Sequence, residues 1–361
     1  MNTKNVLLSL AAIAALTFTG CGGGGSSSPT ATPTATPTET PATAEKQTLA
    51  GQITENTVLS ADTTWILDGK VEVMDGATLT IEAGTTVAGK EGTNAWLIVY
   101  PGAELIANGT AAKRITFTSE LAVDGEAEAA GQWGGVTIVG NTSNDQLSTY
   151  EVDDVTTAGT GDATSGSLSY VTINNTGIAV EQDKEINGLS LFGVSAATTV
   201  DNIVVNRSGD DGIEIWGGTV NLTNVTIDGA QDDSFDTDSG WAGSIDGLTI
   251  TNGKKAGIEM SGTTVGTYKN VNITVDSEDS EGGLYFKAGD GEVVGGIFED
   301  VTVTYNSTAK GAIAVAGDFD NVNSSFTNLT LAGSNTAIVG KDGDGADDAE
   351  AAQAQALYDA Q

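Results

Sequence analysis

Two acidic pairs, Asp210-Asp211 and Asp232-Asp233, stand 22 residues apart, and a lysine pair, Lys254-Lys255, follows after another 22. Four residues beyond Asp210 is Glu214, four beyond Asp232 is Asp236, and Glu259 continues that series. If segments at this spacing lie one above another, their carboxylates form columns about 5 Å apart. Such neighbours repel by roughly 1 kcal/mol in bulk water and by several at an effective dielectric near 20. A bound cation, the lysines or shared protons must offset that repulsion. Asp210, Asp211, Asp232, Asp233 and Asp236 are therefore candidate ligands for Ca2+, which takes several oxygen donors. Glu214, Asp236 and Glu259 are candidate ligand-binding groups, flanked by Trp216 and Trp241. A tryptophan beside carboxylates offers a sugar ring a stacking surface, although both could equally cover a coil edge. Arg207 stands nearby, just before Ser208-Gly209-Asp210, and Lys254 and Lys255 could offset the repulsion alone.

Other chemistry is excluded by composition. The chain has no histidine and one cysteine. A Ser–His–Asp triad and histidine-ligated zinc are both impossible. The 49 acidic and 14 basic residues give a net charge of −35. Phosphates are repelled, so nucleic acid is not an expected partner. Divalent cations, cationic partners and neutral sugars remain.

The elements that must position these groups repeat. One apolar triplet recurs as Val171-Thr172-Ile173, Ile203-Val204-Val205, Val225-Thr226-Ile227, Leu248-Thr249-Ile250, Val271-Asn272-Ile273, Val301-Thr302-Val303 and Leu329-Thr330-Leu331. The steps are 32, 22, 23, 23, 30 and 28 residues, so a coil of about 22 sometimes carries an insertion. A second strand recurs as Gly177-Ile178-Ala179-Val180, Gly212-Ile213-Glu214-Ile215, Ser234-Phe235-Asp236-Thr237, Gly257-Ile258-Glu259-Met260, Gly283-Leu284-Tyr285-Phe286 and Ala312-Ile313-Ala314-Val315. Apolar residues alternate with polar ones, the period of a half-buried strand. Leu79-Thr80-Ile81, Leu97-Ile98-Val99, Ile115-Thr116-Phe117 and Val136-Thr137-Ile138 read as earlier strands. One coil cannot bury its apolar face, but a stack makes a continuous core. The expected fold is all-β: a right-handed parallel β-helix of about ten to twelve coils with a short C-terminal helix, the hand following from the bias of parallel crossovers. With Ile213 and Ile215 inward, Glu214, Asp236 and Glu259 point outward together. Thr172, Thr226, Thr249, Thr302 and Thr330 also alternate outward, as in an ice- or crystal-binding face, but threonine is simply a good exposed strand residue.

The ends differ from the repeats. Residues 1–21 combine a lysine, an apolar run from Val6 to Leu16 and small residues before Cys21. The run is too short to span a membrane and reads as an export signal. Small residues before the sole cysteine resemble a bacterial lipobox, which implies cleavage before Cys21 and its lipidation. Residues 22–47 are a Gly/Ser/Thr/Pro-rich tether. Residues 48–340 are the β-helix domain. Residues 341–361 form an acidic tail and short helix from Ala349 to Tyr358, in which Asp342, Asp344, Asp347 and Asp348 have calcium-like spacing without the glutamate of an EF-hand loop.

The run from Asp210 to Asn221 (DDGIEIWGGTVN), then DDSFD and SGWAG, with QWGGVTIVGN at 132–141, resembles a group of bacterial exported right-handed β-helix repeat lipoproteins. The similarity covers most of residues 50–340 and implies an exported β-helix of the cell envelope; by analogy with Gram-negative sorting rules, Gly22 rather than an aspartate after Cys21 favours the outer membrane or cell surface. A weaker similarity is to pectate lyases and polygalacturonases, in which aspartates hold Ca2+ or act on sugar; the histidine-containing motif of polygalacturonases has no counterpart here. The leading expectation is a lipid-anchored binding module for carbohydrate, matrix or a partner protein, with Ca2+ as its candidate cofactor and the membrane reached only through the lipid. The alternatives are a calcium-dependent polysaccharide lyase, for which the resemblance implies Arg207 or Lys254 as the base that abstracts a proton with a depressed pKa or a close metal, and a structural envelope protein.

Overall fold

A computed structural model describes residues 45–361 apart from 143–146, 148, 151, 154, 158, 160, 182–183 and 342–344. The export signal, Cys21, nearly all of the tether, and Asp342 and Asp344 lie outside the described residues. The described chain is a parallel β-solenoid of about ten turns, and every strand pairing between coils is parallel.

Each coil contributes to three sheets. Sheet A begins with Thr57–Leu59, Thr78–Ile81 and Glu104–Asn108. In the later coils one long strand, such as Thr199–Asn206 or Asn221–Asp228, runs through sheet A, bends, and continues into sheet B. The bend is one residue in the left-handed region: Tyr170, Asn202, Asn224, Gly247, Asn270, Asp300 and Asn328 stack there with φ between 51° and 84°. Asparagine and glycine tolerate that conformation, which explains their recurrence in the repeat. Sheet C follows, with Leu189–Phe192, Ile213–Trp216, Phe235–Asp238, Ala256–Met260, Gly282–Lys287 and Ile313–Ala316 in register.

The triplets beginning at Val171 stack as sheet B, as their spacing predicts. The sheet A strands are a third repeat beyond the two read from the sequence. One expectation needs correction. Ala179–Glu181 is an arm of an antiparallel hairpin with Lys184–Glu185, because the insertion at 175–187 leaves the sheet; the sheet C strand of that coil is Leu189–Phe192. The four N-terminal triplets are strands, as expected, and fall in different sheets. Leu79-Thr80-Ile81 lies in sheet A, Ile115-Thr116-Phe117 in sheet B, and the other two in sheet C.

The inward residues form one continuous core, with Leu189, Ile213, Phe235, Ile258, Leu284 and Ile313 stacked on successive coils. The last coil is closed by helix Gly345–Ala360, longer than expected. Asp347 and Glu350 accept the Gly317 and Phe319 backbone N–H groups at 3.0 and 3.1 Å, and Gln361 bonds both polar groups of the Leu329 backbone. Asp347 is thus a cap for an open sheet edge, the role expected of a terminal solenoid element.

Candidate functional site

The outer face of sheet C carries the acidic column. Strand alternation sends Ile213, Phe235 and Ile258 inward and leaves Glu214, Asp236 and Glu259 outward, each directly above the next. Beside them, at the turn into each strand, stand Asn187, Asp211, Asp233 and Ala256 on successive coils. These are joined by a ladder: Asn187 Oδ1 accepts the Asp211 N–H at 3.1 Å, Asp211 Oδ1 the Asp233 N–H at 2.8 Å, and Asp233 Oδ1 the Ala256 N–H at 2.5 Å. The second acid of each DD pair therefore has one oxygen committed to holding the turn. Asn187 also donates to Glu214 Oε2 at 2.6 Å, fixing that carboxylate from the coil before it.

Although outward, these groups are shielded from water. Asp211, Asp233, Asp236 and Glu259 are 6, 6, 7 and 3 % exposed. Their ligand atoms converge in three sets within 4.8 Å: Asp210, Asp211 and Asp232; Asp211, Glu214 and Asp236; and Asp233, Glu259 and Glu281. Among the described residues, Asp236 Oδ1 and Glu259 Oε2 are buried with no hydrogen-bond partner. Burial, reinforced by the charges of Glu214, Asp233, Asp236 and Asp210, holds the Asp211 carboxyl well above the ordinary carboxylate range. Burial with Glu259, Glu214, Asp233 and Asp238 does the same to Asp236, and burial with the charge and hydrogen bond of Glu259 to Asp233.

The sets differ in the cations near them. Lys287 pairs with Glu259 at 2.7 Å and Lys341 with Glu281 at 3.1 Å. Burial alone would lower the Lys287 ammonium, but the charge and hydrogen bond of Glu259 and the charge of Asp236 outweigh it and hold the pKa up. Lys255 approaches Asp232 at 3.8 Å. Among the described residues, no lysine or arginine forms an ion pair with Asp211 or Asp236, the two buried members of the middle set. That set consists wholly of hard oxygen donors and includes an orphaned buried oxygen on Asp236, which fits Ca2+.

Several expected members are elsewhere. Trp241 is fully buried on the inside of the coil, where it donates to the Val220 carbonyl at 3.1 Å and packs against Phe235 and Tyr268. It offers no surface to a ligand, because its ring fills core space beside Gly243 and Gly266. Trp216 does face outward, next to Asp238 in register, but is only 8 % exposed. Tyr150 and Phe192 cover it at 5.4 and 6.1 Å. Arg207 pairs with Glu128 and donates to Asn175 at 2.9 Å, and Lys254 approaches Asp279 at 3.8 Å, so both are engaged away from the stack. Conversely, Asn187, Lys287, Glu281 and Lys341 belong to the site without having been singled out. Lys287 was within reach of the pattern, since alternation through Leu284-Tyr285-Phe286 sends it outward.

A pH dependence follows. A raised carboxyl pKa means that the folded protein keeps protons the unfolded chain releases, so stability is greatest below the unfolded carboxylate pKa and is lost as pH rises through the raised values. In chelator, the melting temperature is expected to fall on going from pH 5 to pH 8, and added Ca2+ to restore part of it at pH 8. A thermal melt series with and without Ca2+ checks both; a flat profile in chelator counts against charge burial at this site.

Residues 51–356 match the family model described as a pectate-lyase like beta helix domain. No curated protein matches the sequence. Among solved structures, the enzymatically active domain of tailspike protein 2 from bacteriophage CBA120 aligns over 74% of this chain and 39% of its own length, with 12% identity and a TM-score of 0.27. The full-length tailspike protein 2 from the Escherichia coli O157:H7 bacteriophage CAB120 aligns over 73% and 33%, with 12% identity and a TM-score of 0.25. The chain thus spans well under half the length of either tailspike chain. With the family model covering most of the sequence and the coils stacking as its strands require, the chain belongs to the pectate-lyase-like β-helix domain family.

Proposed function

We propose that the protein is a cell-envelope binding module that holds polysaccharide against the acidic outer face of sheet C with the help of Ca2+. The observation that carries this reading is the Asp211, Glu214 and Asp236 set: three converging carboxylates, two of them more than nine-tenths buried, with Asp236 Oδ1 left without a hydrogen-bond partner among the described residues. When bound, Ca2+ would supply positive charge that recruits sugar hydroxyl or carboxylate oxygens. The chain's own part is to preorient the ligands: Asn187 holds Glu214, and the turn ladder holds Asp211. The lyase alternative is weaker, because Arg207 and Lys254, its candidate bases, are engaged with Glu128 and Asp279 rather than with the stack. Anchoring through a lipid on Cys21 belongs to the same proposal and would keep the module at the membrane surface.

The test is retention of the full chain on a panel of immobilised acidic and neutral polysaccharides, with Ca2+ and with chelator, while released reducing ends and unsaturated uronate are recorded. Calcium-dependent retention without product is the expected result. Calcium-dependent product would make it a lyase, and retention on no glycan would remove the carbohydrate reading. Cys21→Ser is expected to move the protein from the membrane to the soluble fraction.

A further inference from the structure

On the other side of the coil, where sheets A and B meet, one basic group stands apart from the rest. Arg114 is half-buried and donates from Nε to Thr172 Oγ1 at 2.8 Å, and from Nη2 to the Val171 and Asn202 carbonyls at 2.7 and 2.6 Å. Its guanidinium lies 5.8 Å from the centre of the Tyr170 ring. Three bonds to two successive coils and an aromatic contact fix its plane. Among the described residues Nη1 makes no hydrogen bond, and neither Arg114 nor its exposed neighbour Lys113 forms an ion pair. Most of the other described bases do, in a chain with 49 acids, so an adjacent pair without carboxylate partners is unexpected. The acids carried by sheet A nearby are already engaged: Asp201 accepts from Ser169 and Asn202, and Asp246 from Asn270.

Arg114 borders two depressions. One, of about 340 Å3, runs past Asn202, Asn224, Asn270, Thr226 and Thr249; the other, of about 530 Å3, includes Lys113, Gly84 and Thr116. The first is lined by amides and hydroxyls at the coil spacing, with Gly247 leaving a gap between Asn224 and Asn270 in the bend column.

We propose that Arg114 and Lys113 form an anion-binding site for a polysaccharide bearing acidic substituents, whose neutral sugars lie along the asparagine and threonine side chains of the adjoining depression. The N–H groups left on Nη1, with the neighbouring Lys113 ammonium, suit charge-assisted contacts to a carboxylate or sulfate. Burial without a counter-ion pushes the Arg114 pKa down, and a bound anion would offset that cost. The site lies on different sheets from the carboxylate column and needs no metal, so it stands independently of the calcium reading.

The experiment measures binding of the full chain to dextran sulfate fragments in chelator at low ionic strength, with neutral dextran of equal length and inorganic sulfate as comparisons. Dextran sulfate is expected to bind, neutral dextran not, and inorganic sulfate to compete. Arg114→Gln is expected to weaken binding at least about tenfold, as loss of a charged hydrogen bond does. Lys113→Glu, at an exposed position that does not endanger folding, is expected to weaken it as well, and Lys46→Glu, the same charge change on the exposed first strand, to leave it unchanged. Failure of the unmodified protein to bind, equal binding of neutral dextran, or unchanged affinity in Lys113→Glu would each overturn the proposal. Equal loss in Lys46→Glu would do so too, by making the interaction a non-specific effect of charge.

Discussion

Trp241→Ala is expected to destabilise the β-helix by about 3–5 kcal/mol, the range for removing a large buried aromatic. Nothing about the exposed surface would change. The Trp241 ring is fully buried, 6.2 Å from Phe235 and 5.8 Å from Tyr268, and Tyr268 stacks on Phe298 at 4.7 Å. The ring therefore joins several coils, and its loss opens a cavity that a stack held at both neighbours cannot collapse. Gly266 shows how closely the ring is packed: a Cβ there would sit 2.3 Å from Trp241 Cζ3. The substitution also leaves the Val220 carbonyl without its indole donor, which adds to the cost. Urea unfolding followed by circular dichroism measures the loss, and Trp241→Phe should recover a large part of it. Glycan retention by the folded fraction is expected to be unaltered; reduced retention at full folding would return Trp241 to the binding surface.

That prediction reverses an expectation drawn from residue type, and the reversal shows what the sequence carries. Periodicity of two places Ile213 inside and Glu214 outside, and a step of 22 places Asp236 beside Glu214, because both follow from backbone geometry alone. The acidic column was legible for that reason. Trp241 lies in the turn between sheets C and A, where no alternation applies, so its direction depends on Gly243 and Gly266 leaving room for it. The burial of Asp236 was equally hidden, since outward-facing strand residues are ordinarily wet. Asn187 was missed because the insertion at 175–187 breaks the count, although it stands in the same column as Asp211 and Asp233. The bases failed for a different reason. Arg207 is only three residues from Asp210, but it sits in a left-handed turn with φ of 56°, and its guanidinium reaches Glu128 in a distant loop.

Asp236→Asn is expected to change stability in opposite directions with and without calcium. The substitution keeps the shape of the side chain and removes one buried negative charge. In chelator at pH 8, well above the ordinary carboxylate pKa, burial and then the charges of Glu259, Glu214 and Asp233 impose on Asp236 an electrostatic cost that a neutral amide would not incur, so the variant is expected to melt higher than the unmodified protein. With Ca2+ at a hundred times its dissociation constant, the unmodified protein gains about 2.7 kcal/mol by linkage. The variant, lacking a ligand whose Oδ1 has no other partner among the described residues, is expected to gain little at that concentration and to melt lower. A purely structural role for Asp236 would make the variant less stable in both conditions, and a solvated acid would leave both unchanged. Only a carboxylate buried to receive a cation produces the crossing. Calorimetry would report the same contrast as calcium binding lost in the variant, and Asn187→Ala, which frees Glu214 without altering the charge, is expected to weaken that binding rather than abolish it.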